Sequence, residues 1–126
     1  MTPMPQLKSK PVIQVVEDDA AVRASLVFLL ESCGFGVHCY GSAEELLADN
    51  NTLVDCLLLD YHLPGMTGVD LVDRLHARKS SPPIVMITGR IDAAIRRQAA
   101  DSGAQSVIEK PFEDETLLDA IARAMG

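Results

Sequence analysis

The chain has 126 residues, which is enough for one domain with a self-sufficient hydrophobic core. Its formal net charge of −7 argues against direct binding of nucleic acid by this domain, because proteins bind polyanions through an excess of Lys and Arg. Apolar runs stay far short of the roughly 18 residues of a membrane span, and the amino terminus has no apolar export signal, so we expect a cytoplasmic protein without a membrane anchor.

Short apolar strands and amphipathic helices alternate along the chain. Residues 1–11 hold prolines and lysines without periodicity, and we expect a flexible arm there before a single domain at 12–126. Four consecutive apolar residues end at Asp60, which is typical of a strand buried on both faces of a sheet. The predicted strands are 12–16, 35–40, 56–60, 84–87 and 107–108, and the predicted helices are 19–33, 42–49, 69–78, 92–102 and 113–125.

Local signals mark the ends of the first two helices. Asp19 is a candidate N-cap, and Gly34 suits the left-handed position that ends many helices. Ser42, with Glu45 three residues later, predicts a capping box in which each side chain bonds the other's backbone.

The cysteines are Cys33, Cys39 and Cys56, and each lies in or beside an apolar run. Their odd number fits reduced thiols better than a disulfide framework. We expect all three to be small residues of the core.

Five strand–helix units in alternation predict an α/β fold with a parallel sheet covered by helices on both sides. Five units favour the single-domain flavodoxin-like (βα)5 fold with strand order 2-1-3-4-5. In that order the crevice lies between the carboxyl ends of strands one and three, where Glu17, Asp18 and Asp60 are found. Taken alone, Asp60 could equally cap a turn or act in chemistry.

Three carboxylates in one crevice repel each other, at a cost of about 4 kcal/mol for two charges about 4 Å apart at an effective dielectric of about 20. A hard divalent cation such as Mg²⁺ prefers such oxygen ligands and would neutralise them. Thr88 ends strand four, and Lys110 follows strand five at the same edge. A carboxylate nucleophile, an acidic metal site, a lysine and a hydroxyl are the groups that phosphoryl transfer to an aspartate requires.

Four short motifs give this chain a family likeness from Val12 onward. In their order and spacing they resemble the receiver domain of two-component response regulators, the CheY-like family, and the nearest likeness is to receivers of nitrogen-fixation-type regulators. The motifs are Val16-Glu17-Asp18-Asp19, Leu59-Asp60 with Pro64-Gly65-Met66 and Gly68 downstream, Ile87-Thr88-Gly89, and Glu109-Lys110-Pro111-Phe112.

The resemblance implies a phosphoacceptor and its helpers. Asp60 would accept a phosphoryl group from a histidine kinase or a histidine phosphotransfer protein. Lys110 would contact a phosphoryl oxygen, and the Thr88 hydroxyl would turn toward the phosphate. The Lys110–Pro111 bond would be cis, as in the family.

The resemblance also implies a Mg²⁺ site. Asp18 and Asp60 would hold the ion through side-chain oxygens, Glu17 would act mostly through water, and the backbone carbonyl of His62 would complete the set. The His62 side chain and Arg90 either tune the lifetime of the aspartyl phosphate or are plain surface groups, and the residues leave both readings open.

One position departs from the family pattern. The family usually has Tyr or Phe three residues before the lysine, and Val107 stands there in this chain. A valine cannot follow the Thr88 movement by the ring rotation that, in the family, couples the phosphate to the face formed by the fourth helix, fifth strand and fifth helix. The likeness otherwise allows a homodimer through that face.

The resemblance implies a signalling switch with self-catalysed phosphotransfer and autodephosphorylation rather than an enzyme. The main alternative is an interaction module that works without phosphorylation. A phosphatase of the haloacid-dehalogenase kind would need a second Asp two residues after Asp60, where this chain has His62.

Overall fold

A computed structural model describes residues 10–49, 54–78 and 81–126. The predicted arm at 1–11 lies outside the described residues except for Lys10 and Pro11, which are exposed. The elements are β1 Val12–Val16, α1 Ala20–Ser32, β2 Gly36–Tyr40, α2 Ala43–Ala48, β3 Cys56–Asp60, α3 Gly68–Ala77, β4 Ile84–Thr88, α4 Ala93–Ser102, β5 Ser106–Glu109 and α5 Asp114–Met125.

The strands form one parallel sheet in the order β2-β1-β3-β4-β5, which confirms the predicted flavodoxin-like topology. The register aligns the carboxyl ends of neighbouring strands. Val16 of β1 lies opposite Leu59 of β3, and Asp60 lies opposite Ile87 of β4. Side chains that follow these strands therefore converge at one edge of the sheet.

Helices cover both faces of the sheet with two separate cores. On one face α1 and α5 contribute buried residues such as Leu30 and Leu117, and on the other face α2, α3 and α4 contribute residues such as Leu46, Leu71 and Ala99. All five residues of β3 are buried, as predicted for a strand covered on both sides. This packing holds the end of β3, and with it Asp60, in a fixed position.

The helix ends largely follow the predicted signals. The Asp19 side chain accepts hydrogen bonds from the backbone of the first turn of α1, and Gly34 adopts φ of 92° after that helix. The predicted capping box at α2 is half wrong. The Ser42 hydroxyl accepts from the Glu45 N–H at 3.1 Å, but the Glu45 carboxylate accepts from the Gly41 N–H at 2.8 Å and not from Ser42.

A complete capping box begins α3 instead. The Thr67 hydroxyl accepts from the Asp70 N–H at 3.1 Å, and the Asp70 carboxylate accepts from the Thr67 N–H at 3.1 Å. This box starts α3 at Gly68, one residue before the predicted start. It fixes the far end of the loop that follows Asp60.

The cysteines correct one prediction. All three are free thiols, but only Cys56 is buried. Cys33 is exposed because it is the C-cap residue of α1, and Cys39 is exposed because it lies on the edge strand β2. Burial raises the pKa of the Cys56 thiol to about 12. Within the described ranges no helix has the length and apolar character needed to cross a membrane.

Candidate functional site

Three acidic side chains meet where the strand order reverses, between the ends of β1 and β3. Glu17 and Asp18 follow β1 and Asp60 ends β3, and the three residues offer carboxylate oxygens that all lie within 4.8 Å of one another. Glu17 and Asp60 are only 2% and 6% exposed, whereas Asp18 is exposed. The structure therefore brings together the three acids predicted from the sequence, with Glu17 and Asp60 nearly buried and Asp18 exposed to solvent.

Lys110 supplies a positive charge to this cluster. Its ammonium donates to Glu17 Oε1 at 2.7 Å and to Asp60 Oδ2 at 2.8 Å. The Lys110 N–H donates to the Thr88 carbonyl at 2.8 Å, which ties the lysine to the end of β4. Burial lowers the pKa of Lys110, but the hydrogen bonds and charges of Asp60 and Glu17 outweigh burial, so the pKa is raised above that of an ordinary lysine.

Backbone donors hold the other oxygens of the two buried acids. Asp60 Oδ1 accepts from the His62 N–H at 2.9 Å, and Glu17 Oε2 accepts from the Asp19 N–H at 3.2 Å. Each of the two carboxylates thus bonds Lys110 through one oxygen and the backbone through the other. Burial of the pair is compatible with their charge because each oxygen has a donor.

Thr88 lies at the same edge, fully buried. Its hydroxyl donates to the Arg90 carbonyl at 3.0 Å and accepts from the Arg90 N–H at 3.3 Å. The hydroxyl is therefore engaged with the loop between β4 and α4. The Lys110–Pro111 bond is cis, as the family likeness implied.

The loop after Asp60 is built on close backbone approach. The Tyr61 N–H donates to the Ile87 carbonyl at 2.7 Å, and the Gly68 N–H donates to the Tyr61 carbonyl at 2.7 Å. A Cβ on Gly68 would lie 2.8 Å from the Asp60 carbonyl oxygen and 3.1 Å from Tyr61 Cα. Only glycine fits there without moving the acceptor loop.

The remaining predicted residues line the rim or the neighbouring core. His62 and Arg90 are exposed, and the His62 ring meets the Tyr61 ring edge to face at 4.8 Å between centroids. Val107 is half-buried in β5 and packs on the core beneath α2, α3 and α4.

Sequence reasoning missed two contacts around the site. The Arg23 guanidinium of α1 donates to the Glu17 carbonyl at 2.8 Å. The Tyr61 hydroxyl donates to Gln98 of α4. A sequence signal existed for Tyr61, since an aromatic residue directly after a buried strand can reach a covering helix, but nothing in the local pattern singled out its partner.

The donor set fits a hard divalent cation. Carboxylate oxygens from three residues within 4.8 Å match the oxygen ligands that Mg²⁺ prefers. One ammonium offsets only part of the negative charge of three carboxylates. The cluster can therefore hold a metal ion beside Asp60.

Fold and site together define an α/β domain whose acidic cluster lies at the switch point of a doubly wound sheet. Residues 13–122 match the model of the response regulator receiver domain, and the chain belongs to that family. Members of the family are the phosphorylation-controlled switches of two-component signalling, and that function is the one expected of this chain.

Relatives of known sequence agree. The transcriptional regulatory protein FixJ of Bradyrhizobium diazoefficiens is 39% identical over 120 residues, which cover 94% of this chain and 58% of that protein. Nodulation protein W of the same bacterium is 39% identical over 122 residues, covering 94% and 53% respectively. The chain thus spans little more than half the length of these curated relatives.

Solved structures agree as well. The structure of FixJ-N superposes with a TM-score of 0.84 at 38% identity and covers 92% of this chain and 94% of that one. A CheY-like receiver domain protein from Methanospirillum hungatei gives a TM-score of 0.85 at 29% identity, with 93% and 94% covered.

Proposed function

We propose that Asp60 accepts a phosphoryl group from the phosphohistidine of a histidine kinase or a histidine phosphotransfer protein. The observation that carries this proposal is the double contact of Lys110 with Asp60 and Glu17 beside a third carboxylate. A nearly buried carboxylate held by one ammonium and one backbone N–H is positioned and charged for attack.

The transfer makes one bond and breaks another. A carboxylate oxygen of Asp60 bonds to phosphorus while the P–N bond to the donor imidazole breaks, and the electron pair stays on that nitrogen. Lys110 lies close enough to Asp60 Oδ2 to contact an oxygen of the arriving group. The Thr88 hydroxyl, now bonded to Arg90, would exchange that carbonyl for a phosphoryl oxygen.

Mg²⁺ is the cofactor we propose. Asp18 and Asp60 would hold it through side-chain oxygens, Glu17 would act through water, and the His62 carbonyl would complete the set. When bound, the ion supplies charge neutralisation for the phosphoryl oxygens. The three acids would otherwise repel an arriving phosphoryl group.

The domain would act as a switch and not as a turnover enzyme. Water attacks the phosphorus of the aspartyl phosphate, the bond to the Asp60 oxygen breaks, and inorganic phosphate leaves. Until then the two states differ in affinity for partners. We include a homodimer through the face formed by α4, β5 and α5 among those partners.

The chain itself is not expected to bind nucleic acid, because its net charge is −7. The relative FixJ is called a transcriptional regulatory protein, and this chain covers 58% of it. Any effect on transcription would therefore run through another domain or a partner.

Incubation with Mg²⁺ and acetyl phosphate, followed by intact mass, tests the proposal. We expect one added phosphoryl group in the wild type and in Asp73→Asn, which changes an exposed acid on α3, and none in Asp60→Asn. No adduct with acetyl phosphate or a phosphorylated kinase would instead favour an interaction module that works without phosphorylation, an alternative that Val107 motivates. Steady turnover of varied phosphate esters would favour a phosphatase.

A further inference from the structure

Tyr61 connects the acceptor loop to a helix on the far side of the same core. Tyr61 directly follows Asp60 and is 9% exposed, and its hydroxyl donates to the Gln98 side chain of α4, 37 positions along the chain. The ring belongs to the same buried cluster as Ala99 of that helix. One side chain therefore spans the distance from the candidate phosphoacceptor to α4.

The backbone of Tyr61 makes this connection stiff at the site end. Its N–H bonds the Ile87 carbonyl and its own carbonyl accepts from Gly68, both at 2.7 Å. The next residue, His62, donates its N–H to Asp60 Oδ1 at 2.9 Å, and its ring packs edge to face on the Tyr61 ring. A change at the Asp60 carboxylate therefore acts directly on His62, the residue next to Tyr61 in the chain.

The far end of the connection is a lightly anchored helix. Only Ala99 and Ser102 of α4 are buried among its ten residues, and both are small. The preceding loop is held by the Thr88 hydroxyl on Arg90 and by Glu109 Oε1, which accepts from the Ile91 N–H at 3.0 Å. Ile95 adds one partly buried apolar side chain on the same core. Since few apolar contacts hold α4, the Tyr61–Gln98 hydrogen bond is a direct tie between this helix and the acceptor loop.

We propose that the Tyr61–Gln98 hydrogen bond couples the chemical state of Asp60 to the position of α4. The proposal rests on the phosphoacceptor function and adds a positioning residue to it. Phosphorylation turns one carboxylate oxygen of Asp60 into the bridging oxygen of an acyl phosphate and adds roughly one further negative charge. The His62 N–H and the Thr88 hydroxyl then have a new acceptor, the loop carrying Tyr61 shifts, and its hydroxyl moves or releases Gln98.

Amide hydrogen exchange of residues 93–102 tests this coupling, measured with and without Mg²⁺ and beryllium fluoride, a non-covalent phosphoryl mimic. In the wild type we expect the mimic to change the exchange of α4. Tyr61→Phe, which keeps the ring, and Gln98→Ala should each reduce that mimic-dependent change by roughly fivefold, the effect of one hydrogen bond. Arg97→Ala, at an exposed neighbour on the same helix, should leave it intact.

The two variants combined provide a second criterion. If the bond is the coupling device, the double variant loses no more of the response than either single variant. A merely structural bond would loosen α4 equally with and without the mimic, so an unchanged difference in Tyr61→Phe and Gln98→Ala overturns the proposal. A wild-type α4 that does not respond to bound mimic overturns it too.

Failure of the underlying function is recognised separately. Intact mass after acetyl phosphate reports whether Asp60 is modified in each variant, independently of exchange. An adduct with an unaltered α4 response in the variants overturns the coupling alone. Absence of an adduct in the wild type overturns both the phosphoacceptor function and the coupling that depends on it.

Discussion

Lys110 and Asp60 lie 50 positions apart in the chain, and the ammonium of one donates to Oδ2 of the other at 2.8 Å. The same ammonium donates to Glu17 Oε1 at 2.7 Å, so one cation from the end of β5 joins acids from the ends of β1 and β3. The sheet order that brings these three strand ends together is thus also what allows two nearly buried carboxylates to stay charged. Fold stability and site chemistry share this contact.

The shared contact predicts a pH dependence. The pKa of Lys110 is raised in the folded domain, so its ion pairs stabilise the fold fully below the ordinary lysine pKa of about 10.4, and that stabilisation is lost as pH rises through the higher folded value. We expect Lys110→Met to lower the free energy of unfolding by about 1 to 3 kcal/mol near neutral pH, because two acids lose their partner. Urea denaturation should also show a shallower alkaline decline in the variant.

Two other groups set the baseline for that comparison. Burial raises the pKa of Cys56 to about 12, and burial together with the bond to Asp49 raises the pKa of Tyr40 to about 12. Both groups therefore destabilise the fold at alkaline pH, and they do so in wild type and variant alike. Parallel declines in the two proteins would contradict the role given to Lys110.

Removal of Mg²⁺ should distinguish two effects of Asp18, its repulsion of the neighbouring acids and its proposed binding of the ion. Its carboxylate is exposed at the mouth of the cluster and adds to the repulsion between Glu17 and Asp60. Asp18→Asn should therefore be slightly more stable than wild type in chelator. Wild type should gain about 1.4 kcal/mol at a Mg²⁺ concentration about tenfold above its dissociation constant, and the variant should gain little.

Thermal melting with and without Mg²⁺ measures both effects, with Asp73→Asn as the matched control on α3. The control should respond to Mg²⁺ as the wild type does. An equal Mg²⁺-dependent gain in stability in Asp18→Asn and wild type would show that Asp18 does not bind the ion.

The fold was predictable because the spacing of apolar residues along the chain indicates the strands and helices and their order. The short, fully apolar run before Asp60, followed by Pro64-Gly65, is typical of a strand covered on both faces, and five alternating units restrict the order of the sheet. The acid cluster followed from that order. The hydrogen bond between Tyr61 and Gln98 could not be predicted, because the two residues lie 37 positions apart and the local sequence around each of them does not indicate a partner.

Short-range errors have equally physical causes. Cys33 and Cys39 lie beside apolar runs but at a helix end and on an edge strand, and both are exposed. The Glu45 carboxylate accepts from the Gly41 N–H, one residue before the N-cap, and not from the N-cap residue Ser42. The local sequence indicates which groups could form such bonds or be buried, and the packing of the fold determines which of them are.

Gly68 offers a test of how tightly the acceptor loop is built. A Cβ there would meet the Asp60 carbonyl at 2.8 Å, so Gly68→Ala should destabilise the domain by about 1 to 3 kcal/mol and displace the loop. Gly89 is the control, because a Cβ on it has nothing within 4 Å and Gly89→Ala should change stability by less than about 1 kcal/mol. Urea denaturation of both variants decides; equal stability in the two would mean that the contact at Gly68 is easily relieved.

The positions of His62 and Arg90 predict an effect on the decay of the aspartyl phosphate without an effect on its formation. Both side chains are exposed on the two loops that flank Asp60, one after β3 and one after β4. Because these loops flank Asp60, we expect side chains on them to affect the access of the attacking water. We expect His62→Ala and Arg90→Ala each to change the rate of aspartyl phosphate decay, while the initial rate of phosphorylation by acetyl phosphate is preserved.

The measurement is loss of the phosphoryl adduct over time after the phosphodonor is removed. Arg97→Ala on α4 is a matched control, since it removes an exposed arginine away from the loops and should decay at the wild-type rate. Unchanged decay in both loop variants would make His62 and Arg90 plain surface groups. A change in only one would assign the effect to that loop, because the two residues follow different strands.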